Sequence, residues 1–146
     1  MPTPSEISSL VTDRTEQDVR NKTAKGVYQA SDLNRVGTAM EYLQSALHDN
    51  GYTVDAETKT DWQDSEWMDT TDAEQYLSNV QKFHDVLPLG GSANVPASMS
   101  NLTFQGANDI ETILYNLYQV LTSIQSASTI RQAGTPFMIS GGVFNV

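Results

Sequence analysis

Lys25-Gly26-Val27-Tyr28-Gln29-Ala30-Ser31-Asp32-Leu33-Asn34-Arg35-Val36, with its continuation to Leu47, is the stretch that decides the fold. Its first residues read as an extended strap. Ser31 is a preferred N-cap residue, and Asp32 places negative charge in a first helical turn, where the helix dipole favours it. Leu33, Val36, Met40, Leu43 and Leu47 then recur at alternating spacings of three and four. That spacing draws one apolar stripe down a helix. Gly37 and Ala39 leave room for another backbone to approach. Asn50-Gly51 supplies a left-handed stop, so the spacing predicts a helix over 31–49.

On the N-terminal side, residues 1–12 carry Pro2 and Pro4 and read as an irregular lead. Thr12-Asp13-Arg14-Thr15 offers several N-caps for a short helix over about 15–22. Beyond Gly51, Tyr52-Thr53-Val54 and the threonine-rich run to Asp61 are expected to be extended, as one short edge strand at most. Thr71-Asp72-Ala73-Glu74 has the form of a capping box, and Ala73, Tyr76, Leu77, Val80, Phe83 and Leu87 share one face of the helix it opens. Pro88 ends that helix, predicted over 71–87. Residues 88–101 form an uncharged linker in which Gly90-Gly91 and Pro96 prevent regular structure.

A third helix is expected over 103–127, on Ala107, Ile110, Leu114, Leu117, Leu121 and Ile124. Ile113, Tyr118 and Val120 widen its apolar face, which suits a helix with more than one neighbour. Gln132 to Val146 carries no charged side chain. There, Phe137-Met138-Ile139 and Val143-Phe144 flank Ser140-Gly141-Gly142 as a hairpin would. An isolated hairpin is marginal in water, so this one needs a partner surface.

Composition narrows the chemistry. The 146 residues hold 18 acids against 8 bases, a net charge of −10. Binding to nucleic acid needs clustered Lys and Arg, so neither that nor insertion into a membrane is expected. The chain has no cysteine, which removes disulfides, thiolate metal sites and thiol nucleophiles. Its first residues lack the basic and apolar regions of a signal peptide, and synthesis in a cytoplasm is the expectation.

The acids at Asp61, Asp64, Glu66, Asp69, Asp72 and Glu74 are the first candidates for a metal site. Their spacing does not fit a calcium loop, and no glycine separates them. Charge runs are usually solvated faces. Trp62 and Trp67 beside them are a candidate ligand platform, for a sugar ring for instance. A Trp at such a loop–helix junction more often plugs the end of a bundle. His48 and His84 stand singly near helix ends, where the dipole accommodates an imidazolium. No hydrolase elbow, phosphate loop or dinucleotide fingerprint occurs, so no catalytic residue and no cofactor is assigned. Asp32 and Arg35 stand at ion-pair spacing. Arg35 is also expected to reach and pin the acidic 61–74 loop, and Asn34 to hold the Tyr28 segment.

Several of these residues recur in a familiar order. Thr12-Asp13-Arg14-Thr15 with Asp18-Val19, Lys25-Gly26-x-Tyr28, Ser31-Asp32-Leu33-Asn34-Arg35-Val36 and Glu41-Tyr42-Leu43 open it. Lys59-Thr60-Asp61-Trp62, Tyr76-Leu77-Ser78-Asn79-Val80, Leu87-Pro88, Ser98-Met99, Leu102-Thr103 and Ala107-Asn108-Asp109-Ile110-Glu111 continue it. Over about residues 10–125 the pattern resembles a module of phage and prophage proteins of Gram-positive bacteria. The resemblance implies a virion- or tail-associated structural component, with no catalytic residues to carry over.

The resulting expectation is a mainly α protein. A small three-helix bundle spans 25–127, preceded by an arm over 1–24 that includes a short helix and followed by a tail over 128–146. The expected function is a structural part of a phage particle, in its tail, baseplate or connector. It would be a non-enzyme and a homo-oligomer, made in the host cytoplasm and located in the virion. Its partners would be other phage structural proteins, and its interface Phe137, Met138, Ile139, Val143, Phe144 and Val146. Two other classes compete. An acidic mimic of DNA that inhibits a host nuclease would need acids spread along one face, whereas residues 112–146 carry no acid. A wall- or carbohydrate-binding module would rest on Trp62 and Trp67.

Overall fold

The computed structural model describes residues 3–91 and 93–133. Among the described residues five helices follow one another: α1 (Ser5–Ser8), α2 (Glu16–Arg20), α3 (Ala30–Asp49), α4 (Thr70–Val86) and α5 (Phe104–Ala133). The three long ones are those the periodicity predicts, and together they form a mainly helical bundle. Helix α5 packs against both α3 and α4, and α1 lies across α3 and α5. The core they enclose is built from Val36, Met40, Leu43 and Leu47 of α3, Val80 and Phe83 of α4, and Ile110, Leu114, Leu117 and Leu121 of α5. Each of these side chains is at most 1 % exposed. Ile7 of α1 joins the same cluster, so residues expected to be an irregular lead contribute a core contact.

The boundaries show which local groups govern. Helix α3 starts one residue before Ser31, and Gln29 is its N-cap in extended conformation. The cause is Asp32, whose Oδ2 accepts the Gln29 N–H at 2.6 Å. That bond makes Asp32 the third helical residue and leaves Ser31 inside the first turn. The α3 stop is the expected one. Gly51 takes φ +88°, and the N–H groups of Gly51 and Tyr52 donate to the carbonyls of His48 and Leu47 at 3.0 and 2.9 Å. This pair of bonds is a Schellman closure. Helix α2 is shorter than expected and is capped by Thr15, with Asp18 reciprocating.

Helix α4 is likewise capped earlier than its sequence suggests. Asp69, not Thr71, accepts the Asp72 N–H at 2.8 Å, and the Asp72 carboxylate accepts the Asp69 N–H in return. Leu87, before Pro88, is extended and ends the helix, as the steric demand of proline requires. Helix α5 runs on to Ala133 instead of ending at 127. No glycine or proline interrupts the sequence between Gly106 and Gly134.

Two extended features are absent among the described residues. The strap before α3 is a turn, closed by Gly26 and Val27 N–H groups donating to the Thr23 carbonyl. Gly26 rests on the backbone of α2, where a Cβ would come 2.0 Å from the Asp18 oxygen. Residues 52–61 form no strand. Instead the Asn79 amide on α4 binds both the N–H and the carbonyl of Glu57, which uses the groups that a neighbouring strand would take. The uncharged segment after Pro88 is irregular as expected, yet Leu89, Val95, Met99 and Leu102 pack on the core. The hairpin expected at the C-terminus, with Phe137, Met138, Ile139, Val143, Phe144 and Val146, falls outside the described residues.

Candidate functional site

The most concentrated chemistry in the molecule is a charge cluster at the junction of α3, α5 and the segment before α2. Arg14 brings a guanidinium whose side chain is 2 % exposed, and Glu111 of α5 a carboxylate with no exposure. Asp32 and Arg35 come from the first turns of α3. Arg35 grips Glu111 with two parallel bonds, Nε to Oε1 at 2.7 Å and Nη2 to Oε2 at 2.9 Å. Arg14 Nη2 donates to the same Oε2 at 2.7 Å and to Asp32 Oδ1 at 3.3 Å. Asp32 Oδ1 also accepts from Arg35 at 2.6 Å. Two positive groups thus meet two negative ones.

The remaining valences are filled by backbone. Arg14 Nε and Nη1 donate to the carbonyls of Lys25 and Val11, both at 3.0 Å. The Val11 N–H donates to Glu111 Oε1 at 2.9 Å. The Asn108 amide pairs with the N–H and carbonyl of Arg14 as a neighbouring strand would, at 3.0 Å each. The Arg14 guanidinium sits over the Tyr28 ring, 5.6 Å from its centroid. No buried side-chain nitrogen or oxygen among the described residues lacks a hydrogen-bond partner. A buried charge pair is tolerable only when satisfied in this way.

Electrostatics at the cluster reinforce the charged state of the arginine and the neutral state of the tyrosines. The Glu111 carboxylate, followed by Asp32, holds Arg35 protonated well above the usual arginine range. Burial pushes the Tyr28 and Tyr76 hydroxyls up, and the two share a hydrogen bond of 2.7 Å. Such a cluster can clamp three chain segments together. Arg14, Asp32 and Glu111 are buried, and Arg35 closes the cluster from a partly exposed position.

The cluster was only half visible in the sequence. Asp32 and Arg35 do pair at the expected spacing. Arg35, however, turns to Glu111 and not to the 61–74 loop, because a fully buried carboxylate competes for it better than solvated ones do. Asn34 does not hold the Tyr28 segment. Its amide accepts the Trp62 N–H at 2.7 Å and donates to the Trp62 carbonyl at 2.9 Å, so it is Asn34 that pins the acidic loop. Glu111 itself was not singled out for chemistry. The signal was present, since Glu111 stands four residues after Ala107 and three before Leu114, on the apolar stripe.

Other candidates stay apart from the cluster. Trp62 is half-buried, with the Lys59 ammonium 4.8 Å from its ring centroid, and Lys59 also bridges Asp61 and Glu66. Trp67 is 91 % exposed and plugs nothing. The two indoles therefore differ in setting although they flank the same loop. His48 ends α3 at the surface, while His84 on α4 contacts Asp85. Among the described residues, no three His, Asp or Glu side chains are grouped to hold a metal ion. No helix of those residues is long and apolar enough to cross a membrane.

Beside the cluster runs an open groove. One part, of about 790 Å³, lies between α4 and residues 95–100. A second, of about 300 Å³, lies between the start of α3 and the 62–68 loop. Tyr28, Leu33 and Met68 line both. No protein-family model, curated protein or solved structure matches the chain.

Proposed function

We propose that this protein is a non-catalytic structural component of a bacteriophage particle, in its tail, baseplate or connector, acting through protein–protein contacts. The observation that carries the reading is the location of the residues that resemble a phage module. Arg14, Asp32, Arg35, Asn108 and Glu111 all belong to the quoted pattern, and all five meet in the enclosed clamp. Asn34, which holds the backbone of Trp62, and Asn79, which holds that of Glu57, are further pattern residues. A signature made of such contacts suits a scaffold better than a reaction centre.

On this reading the protein is a homo-oligomer located in the virion, and its uncharged tail supplies the contact between subunits through Phe137, Met138, Ile139, Val143, Phe144 and Val146. Deleting residues 134–146 should abolish assembly and leave the helical circular-dichroism signal intact. Mass spectrometry of purified particles should find the chain at stoichiometric level. A truncated chain that still assembles, or particles that lack the protein, would sink the proposal.

A second reading has one observation in its favour. Trp67 stands open to solvent at 91 % exposure, an indole face accessible to a sugar ring. Titration of tryptophan fluorescence with cell-wall glycans should then give a saturable change, and a flat titration removes this reading. The nuclease-inhibitor alternative is weakened by the burial of Asp32 and Glu111, which cannot stand in for phosphates on a surface.

A further inference from the structure

The groove along α4 has a floor and a rim of different chemistry. Leu33, Met68, Leu77, Val95 and Met99 give it apolar walls that are only partly buried. Asp69 and Glu74 line its larger part, and Asp64 and Glu66 its smaller part. Neither part is lined by a lysine or an arginine. Trp67 lies between two lining residues, Glu66 and Met68, in sequence, lines neither part itself and is 91 % exposed. Large apolar groups left this open are informative where singly placed hydrophobics are not. Tryptophan is also the side chain most enriched among residues that dominate binding energies.

We propose that this groove is a docking site for a basic, amphipathic segment of a partner protein. Apolar side chains of the segment fill the Leu33–Leu77–Met99 floor, and its lysines or arginines face Asp64 and Glu74, Glu66 being already paired with Lys59. Trp67 covers the segment from the loop side. Charge complementarity selects this occupant. An anionic surface or nucleic acid is repelled by the acidic rim. The chain's own tail has no charged residue beyond Arg131, so it would leave the rim acids unanswered. The inference shares with the assembly reading the premise that the protein works by contact. It concerns a different surface and is tested on the purified chain alone, so either idea can fail without the other.

The probe is a short synthetic peptide of alternating leucine and lysine, labelled for fluorescence anisotropy and titrated with the full chain at fixed ionic strength. Saturable binding is expected. The double substitution Asp64→Lys with Glu74→Lys should weaken it about tenfold or more, as reversal of two facing charges does. The same reversal on another face, Asp49→Lys with Asp55→Lys, should change it by less than about twofold, since those charges act only through screened long-range attraction. Trp67→Ala should weaken binding and leave the melting temperature unchanged, because its side chain is solvent-exposed. Equal weakening by both double substitutions would overturn the proposal, as would no saturable binding. Equal binding of a leucine–glutamate peptide, or of a peptide copying residues 134–146, would do the same. So would a concentration-dependent dimer that persists after deletion of residues 134–146 and that the probe does not dissociate, since a second copy would then occupy the groove.

Discussion

Glu111 stands on α5 where the helical repeat calls for an apolar side chain, and its carboxylate takes four hydrogen bonds from Val11, Arg14 and Arg35. Removing one partner of an enclosed charge group leaves the others without compensation, which costs about 3–5 kcal/mol. Glu111→Ala should therefore lower stability by about that amount in urea denaturation. Arg35→Lys should also be costly, by about 1–3 kcal/mol, because an ammonium cannot make the two-pronged contact. A Glu111→Ala protein as stable as the parent would mean that the clamp contributes nothing.

The two tyrosines beside it make a separate test. Burial holds Tyr28 and Tyr76 above the ordinary value of 10 in the folded protein. Below that value both states are protonated and the pair adds no pH dependence. As pH rises past it, the unfolded chain releases its phenolic protons first, so stability falls. The slope approaches about 1.4 kcal/mol per pH unit for each tyrosine. The double substitution Tyr28→Phe with Tyr76→Phe should flatten the decline between about pH 9 and 11. An unchanged slope in denaturant titrations across that range would contradict the assignment.

At the scale of elements, the helices were legible because each carries one continuous apolar stripe, and their starts were less so. Ser31 and Thr71 are good capping residues by type. Asp32 and Asp69 displaced them because a carboxylate bonded to a backbone N–H is the stronger cap partner. Asp69→Ala should thus cost about 1 kcal/mol, and Thr71→Ala should be close to neutral, in thermal melts of the two variants. Equal losses would return the cap to Thr71.

The close approach expected at Gly37 is present, and its partner is the backbone of the loop before Trp62. A Cβ there would lie 2.4 Å from the Lys59 oxygen. Gly37→Ala should therefore cost about 1–3 kcal/mol by overpacking, despite the better helix propensity of alanine. The loss of the short edge strand expected within 52–61 was not legible, since nothing in Tyr52-Thr53-Val54 announces that the Asn79 amide will take the place of a neighbouring strand.

Across the whole molecule, what the sequence hid was the long-range pairing. Periodicity reports which residues share a face, but not that Arg14 and Glu111, 97 positions apart, share a hydrogen bond. A buried acid on an apolar stripe and an arginine in a short, poorly apolar segment are each unremarkable alone. Together they tie the N-terminal segment to the central helix. The groove was equally hidden, because Leu33, Leu77 and Met99 come from three separate segments and each looks like ordinary core.

Arg14, Asp32, Arg35, Asn108 and Glu111 clamp the N-terminal segment into one cooperative unit with α3 and α5. Native-state hydrogen exchange at the Val11 and Arg14 amides tests it most directly, since these donate to Glu111 and Asn108. Both amides should exchange as slowly as those of Ile110 and Leu114 in the core of α5, and Glu111→Ala should release them. Exchange at Val11 and Arg14 as fast as in an exposed loop, with α5 still protected, would contradict the account.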